Sequence, residues 1–399
     1  MKVAIALWLM VIFLASLAEA AEVRLLPSVS EQVEYNDNVF VTPTQQVHDV
    51  ISTTSGGMEL LENTERTNLD LSAKVNELVY CRNPSLDSTD QAYNGTLLYA
   101  VSPTLSLLTR GSFITDSRPD RLLYTTGLVL NSSRAEHSTG GITGSYNLTD
   151  TTTASLAYDY GHDWYRSSQL VDFTSDASSL SFVHDMSRYI PSAKASLTFA
   201  YSRYDFTGME IDNYEAQAGL QYALHEKWSF LMNVGPRYTE STFQAMELLG
   251  IVGRREYYTI QNQTASGWAP AGSATLSYKG EVTTGDLTLN RDVMPAYGSL
   301  GTVERTAVTL TANRRLTYEL SGTLSAGYFT NVSKAGQFAV NAINYETYFA
   351  TPGIRYEFNR DMYLEGSYSF VEVDNKEAGT TAFRNLFMVR FFVQHAIME

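Results

Sequence analysis

Beyond Ala20 the sequence contains no uninterrupted apolar run of the roughly 20 residues that a membrane-spanning helix requires, so any crossing of a bilayer must be made by strands. Cysteine is nearly absent: Cys81 stands alone, which rules out an intramolecular disulfide. Positive charge is also scarce. Against 43 acidic residues there are 28 Lys and Arg, for a formal charge of −15, the reverse of what a nucleic-acid binder carries. There are no paired cysteines and no His-x-x-x-His to suggest zinc. A Cys-x-x-Cys-His for haem and a glycine-rich phosphate loop ending in Lys-Ser/Thr are missing as well, and no cofactor is implied.

The N-terminus supplies what the rest lacks. Lys2 precedes the apolar stretch AIALWLMVIFLASL, and Ala18-Glu19-Ala20 follows it with small residues at a cleavage point. That order describes a secretory signal over residues 1–20, leaving a single mature unit over 21–399.

In the mature chain, period-two alternation dominates. From Tyr318 to Phe329, Leu320, Gly322, Leu324, Ala326 and Tyr328 share one parity, while Ser321, Thr323 and Ser325 share the other. The same division recurs at Lys194–Tyr201, Met362–Phe370 and Phe383–Gln394. Such strands run to roughly 10 to 14 residues, whereas globular strands cluster near 5 or 6. Short turns fall at 61–65, 102–104, 149–151, 190–192, 225–227, 280–285, 314–316 and 359–361. Longer polar segments lie between them, centred near 41, 86, 125, 169, 209, 253, 297, 336 and 378. Tight turns on one side and extended loops on the other predict an all-β, transmembrane antiparallel up-and-down barrel of about 18 strands (16 to 18), with both termini in the periplasm. The 26 Tyr and 18 Phe suit aromatic girdles facing outer-membrane lipid. A soluble β-sandwich or propeller also alternates, and strand length decides against it.

The stretch EYNDNVF, Glu34 to Phe40, begins as a strand and then places three Asx residues in a row. A calcium site built from Asn36, Asp37, Asn38 and Asp49 is one reading, but its spacing matches no dedicated calcium loop. The better reading ends a strand at Tyr35 and starts the first external loop at Asn36, because Asn and Asp side chains bond nearby backbone groups. SVSEQVEYNDNVFVTPT, Ser28 to Thr44, resembles the N-terminal signature of a β-barrel porin family encountered beside exopolysaccharide export systems. Hairpins such as Val101-Ser102-Pro103-Thr104-Leu105-Ser106 extend the resemblance as pattern over most of the mature chain. It implies location and fold, and it suggests envelope polysaccharide or a periplasmic export partner.

On the parity assigned to the lumen, Arg237, Arg305, Arg315, Arg355, Arg384 and Arg390 collect on the later strands, with Lys74 and Arg110 earlier. Asp70, Asp159, Glu215, Glu319, Glu357 and Glu365 share that parity. Opposed charges across a lumen orient polar solutes and select ions, and they equally serve to solvate an inner wall. The longest external loop, Thr242–Trp268, holds Met246, Leu248, Leu249, Ile251 and Val252 beside Arg254-Arg255. Apolar residues there predict either an inward-folded constriction, with a helical turn at Ala245–Leu249, or a docking surface. Catalytic candidates at the rim, His162-Asp163 with Ser167 and Ser168, or His137 with Ser138, lack the fixed nucleophile-base arrangement that an enzyme needs. Two functional classes follow: a porin-like channel for small polar solutes or ions, and a structural barrel holding a secretion or electron-transfer partner. No enzyme is expected.

Overall fold

Eighteen strands follow one another around a single closed sheet. The computed structural model describes residues 22–127, 134–252, 255–334, 336 and 338–397. The segment 1–20, expected to be a secretory signal, falls outside these. In chain order the strands are β1 (Glu22–Asn36), β2 (Asp49–Asn63), β3 (Thr67–Tyr80), β4 (Ser88–Ala100), β5 (Leu105–Asp116) and β6 (Ala135–Thr149). Next come β7 (Thr152–Tyr165), β8 (Phe173–Asp185), β9 (Ala193–Phe206), β10 (Met209–His225), β11 (Trp228–Val252) and β12 (Arg255–Lys279). The wall is completed by β13 (Thr283–Pro295), β14 (Thr302–Arg315), β15 (Leu320–Ser333), β16 (Ile343–Glu357), β17 (Met362–Asn375) and β18 (Thr380–Gln394). Each strand pairs antiparallel with the next, and β18 returns to β1 from Ser28↔Gln394 to Asn36↔Leu386. Closure leaves no free edge at that junction, so the backbone polar groups are met inside the sheet, as a bilayer demands.

Parity sorts the wall into two faces. On β15, Leu324 (38% exposed) and Val332 (42%) point outward, while Phe329 and Asn331 are buried within. Val29, Val33, Leu156, Phe387 and Val389 continue the apolar exterior, joined by tilted aromatic pairs such as Tyr328–Tyr348 and Tyr368–Phe387. Inside, hydroxyl rungs cross between strands: Ser145–Ser155 (2.9 Å), Ser181–Thr198 (3.0 Å) and Thr275–Thr288 (3.2 Å). No helix among the described residues is long and apolar enough to cross a membrane. An apolar exterior around a polar interior, with all bonding strand to strand, defines a transmembrane β-barrel.

Both ends of the sheet, Glu22 and Gln394, lie at the end with the short turns. The tail beyond the last aromatic residue is held there, with His395 and Ile397 donating backbone bonds to Pro27 and Leu25.

Two connections depart from expectation. The segment near 209 is a two-residue turn rather than a long loop, with Gly208 at φ 86° where a side chain would be strained. The region 242–268 is neither a loop nor a helical turn. β11 and β12 form a continuous ribbon of two 25-residue strands, paired from Trp228↔Tyr278 to Val252↔Arg255. Its ladder with β10 stops at Met209↔Phe243, and that of β12 with β13 stops at Gly272↔Arg291. Beyond those points the two strands pair with each other and extend past their neighbours. Register explains why a strand wins locally: Met246 stands opposite Ile260 and Leu248 opposite Tyr258, and after a bulge between Leu248 and Gly250 the ladder resumes to Val252↔Arg255. The side chains of 245–260, including Arg255, and residue Arg254 lie outside what the structure describes.

Candidate lumen constriction

The segment that enters the barrel is the β5–β6 connection. Asp116 Oδ1 accepts the amide of Arg118 at 2.7 Å, turning the chain inward as soon as β5 ends. Arg118 then grips Glu34 of β1 with two nitrogens, Nη2 to Oε1 at 2.9 Å and Nη1 to Oε2 at 3.3 Å. Its Nε donates to Asp120 at 3.0 Å. Asp120 in turn accepts from Arg384 Nη1 of β18 at 2.5 Å. One carboxylate is thus shared by two guanidinium groups, and Arg384 is fully buried.

A single helical turn, Leu123–Thr126, continues across the lumen to the far wall. Leu123 is fully buried in a cluster with Val41, Ala307, Phe329, Phe349, Val371, Val373 and Ala382. The Tyr124 hydroxyl meets Arg384 and also Ser369 Oγ (2.8 Å), and its ring packs edge-on against Phe349. Asn331 donates to the Thr126 carbonyl (2.8 Å), and Thr347 donates to that of Gly127 (2.7 Å). Gly127 has φ 74°, and a Cβ there would come within 2.7 Å of Phe329. Only glycine fits. The crossing therefore ties β1 to β15, β16, β17 and β18 by side chains drawn from all five strands.

Burial alone would penalise the Asp120 charge, yet the guanidinium groups of Arg118 and Arg384 override it and hold the carboxyl well below its ordinary range. Burial likewise works against the Arg118 charge, and attraction to Asp120 and Glu34 more than offsets it, keeping the guanidinium above its usual value. Asp120 and Arg118 therefore both carry their charges at neutral pH.

The first loop reinforces the closure. Asn36 Oδ1 accepts the Asn38 amide (3.0 Å), as the turn reading required, and Asn38 bonds Thr42 and Phe383. Asp37 uses both oxygens on Asn385, and Asp49 uses both on the β3–β4 connection. The Asx run stitches the loop to β18, and Val39 and Val41 are buried by it. Outside the crossing, at the long-loop end, a vestibule of ≈ 830 Å³ is lined by Phe40, Tyr297, Tyr345, Asn375 and Glu377 among others.

The charged residues expected on the lumen wall fall into separate groups. Arg384 belongs to the constriction. Arg355 and Arg390 share Glu365, at 3.0 and 2.9 Å. Arg305 pairs with Asp292 at 2.9 Å. Arg237 is buried and reaches Glu304 at 3.4 Å, which Arg291 also contacts. Arg110 and Asp159, 3.3 Å apart, border a cavity of ≈ 380 Å³ with Asn94, Thr139 and Ser175. Asp70 faces the lumen in the turn-side half of β3 opposite Thr96, while Arg315 ends β14 and Glu319 accepts from Thr317 in the turn that follows. Among the rim histidines, His137 bonds Asp163, pairing residues drawn from the two candidate sets, and His162 faces away from that pair.

Sequence reasoning missed Arg118, Asp120, Tyr124 and Glu34 as a unit. The signal was present in Leu122-Leu123-Tyr124, an apolar triplet preceded by Arg118, Asp120 and Arg121 in an expected external loop, where the argument made for 242–268 applies equally.

No family model matches the chain, and no curated protein matches it. Among solved structures it is similar to OpdO of Pseudomonas aeruginosa, with 11% identity, 94% of this chain and 98% of that one covered, and a TM-score of 0.47. It is also similar to the outer membrane protein OpdK of Pseudomonas aeruginosa (11%, 93% and 99%, 0.47) and to OccAB3 of Acinetobacter baumannii (9%, 94% and 100%, 0.48). The barrel assignment stands on the strand ladder itself.

Proposed function

We propose that this protein is a porin-like channel of the outer membrane, passing small polar solutes or ions along a polar lumen that the 117–127 segment narrows. The observation that carries this reading is the closed 18-strand wall with hydroxyl and charged side chains inside and apolar side chains outside. A barrel of about 16 to 18 strands encloses an aqueous channel unless something fills it. Here the filling is a single pinned crossing. In this reading the signal segment is removed, both termini face the periplasm, and lipid covers the outer wall. The arginines of β14 to β18 set ion preference to the extent that their acid partners leave charge unbalanced.

Flotation with outer membranes, a heat-modifiable band and discrete conductance steps in planar bilayers test the reading. A protein found soluble in the periplasm would sink it. A link to exopolysaccharide export rests on the Glu34–Phe40 resemblance, and glycosyltransferases or chain-length regulators as genomic neighbours would support it. The projecting β11–β12 ribbon favours a second role, a scaffold that docks a secretion or electron-transfer partner. Shortening the ribbon between 244 and 263 would then abolish partner capture while leaving conductance unchanged.

A further inference from the structure

We propose that the barrel wall opens sideways at the seam between β12 and β13, with the β11–β12 ribbon as a hinged flap and Arg237 as its latch. The ladder at that seam is the shortest in the wall, running only from Gly272↔Arg291 to Lys279↔Thr284. Above Gly272, β12 keeps its ladder with β11 and has none with β13 among the described residues. One edge of the ribbon is therefore unzipped.

Two prolines explain where the zipper stops. Pro236 of β11 and Pro270 of β12 stand directly opposite one another. Neither has an N–H, so theirs is a pair whose backbone groups point away from each other, toward β10 on one side and β13 on the other. Each flank of the hairpin thus lacks a donor at the same level. On the β10 side the register breaks between Ala218↔Val234 and Glu215↔Arg237, then continues to Met209↔Phe243. On the β13 side it does not resume. Extending that register by two residues would set Pro270 against Val293, whose carbonyl instead accepts from the Tyr204 hydroxyl of β9 at 3.5 Å. A side chain stands where a ladder bond would be.

A second side chain crosses the seam. Arg237 is buried and lies on the lumen parity of β11, opposite to that of the exposed Val234. Glu304 shares the outward parity of Leu310 on β14, and Arg291 that of Leu289 on β13. Arg237 Nη2 nevertheless reaches Glu304 at 3.4 Å, where Arg291 also arrives at 2.9 Å. Two zipped strands between them would keep these groups on opposite faces of the wall; across an open seam they meet. Arg237 Nε bonds Thr239 on its own strand, and Nη1 is buried with no partner, so the hold across the seam is the Glu304 contact. The ladder from Glu215↔Arg237 to Met209↔Phe243 then serves as the hinge, and β12 is the edge that swings. Opening joins the lumen to the lipid-facing exterior and leaves every pair below Gly272 in place.

The test is a spin-label distance measurement on the mature barrel in bilayers. Cys81→Ser removes the one native thiol, and labels are placed at Thr264→Cys on the ribbon and Glu377→Cys on the far rim, both exposed. Two distances are expected, the longer one being the open flap. Glu304→Gln should raise the ratio of long to short about fivefold, the upper range for an ion pair with one partner partly in water. Pro270→Ala returns a donor facing Val293 and should lower the ratio by about the same factor, the scale of one backbone bond. Retained heat-modifiability shows that each variant has folded. A single distance that neither substitution alters would overturn the flap. So would an equal change between labels at Ser299→Cys and Glu377→Cys, because the whole rim and not the ribbon would then be moving.

Discussion

Asp120 and Arg384 lie 264 positions apart in sequence and meet at 2.5 Å inside the barrel, joining the inward segment to the last strand. Because Arg118 contacts the same carboxylate, Asp120→Asn leaves two guanidinium groups with half of their compensation. Removing one partner of a buried pair costs about 3 to 5 kcal/mol, since the other charge stays buried and unpaired. That cost falls on docking of the crossing, because the strand ladder is untouched. Asp120→Asn should therefore raise single-channel conductance and flicker while the band remains heat-modifiable. Unchanged conductance would show that the crossing does not limit the path.

The same residue fixes the pH response. Asp120 is held below its ordinary value of 3.8 when docked, so docking is favoured at any pH above that value and weakens as pH falls through the range below it. Conductance should stay flat between pH 8 and pH 5, about four to one units above the ordinary aspartate value, and rise only in stronger acid. Opening already at pH 6 would implicate a different group.

Gly127→Ala tests the far anchor independently of charge. The positive φ is strained for alanine by about 1 to 2 kcal/mol, and the added Cβ meets Phe329 at 2.7 Å. The variant should open the channel in the same direction as Asp120→Asn, without the acid dependence. A closed Gly127→Ala channel would confine the latch to the ionic end.

Most of the wall was legible in the sequence because strand parity is a local property. Leu324 and Ser325 could be assigned to opposite faces from alternation alone, and exposure places Leu324 outward. The constriction was not legible in the same way. Nothing local couples Glu34, Asp120 and Arg384; they meet only because closure brings β18 beside β1 and the turn at Asp116 sends the next segment across. The 242–268 region shows the complementary error. Its apolar residues were judged against water one at a time, whereas in a ribbon Met246 and Leu248 stand opposite Ile260 and Tyr258 across the ladder.

Parity itself can be challenged. Leu324→Arg places a charge on the lipid face, where it costs roughly 2 to 4 kcal/mol near the bilayer midplane, while Ser325→Arg enters the lumen. The first should reduce the yield of heat-modifiable protein sharply and the second only slightly. Equal yields would reverse or void the assignment on β15.

Ion preference follows from pairing more than from the number of arginines. Arg355 and Arg390 lie at 3.0 and 2.9 Å from the same Glu365 oxygen, so that cluster carries one net positive charge where two cations stand. Arg305 is balanced by Asp292, and Arg384 is buried in the constriction. Glu365→Gln preserves side-chain shape and removes the shared acid, doubling the net charge of the cluster without adding a residue. Wall charges act at short range, whereas exposed loop acids are screened within about 8 Å at physiological salt. Glu365→Gln should therefore move the reversal potential under a salt gradient toward anions, and Arg355→Gln with Arg390→Gln should move it toward cations. Outside the strands acidic and basic residues balance, 13 against 13, so the charge of −15 arises on the strands and neutralising loop acids should have little effect. A reversal potential that follows loop charge and ignores Glu365 would place the selectivity filter at the mouth and not on this wall.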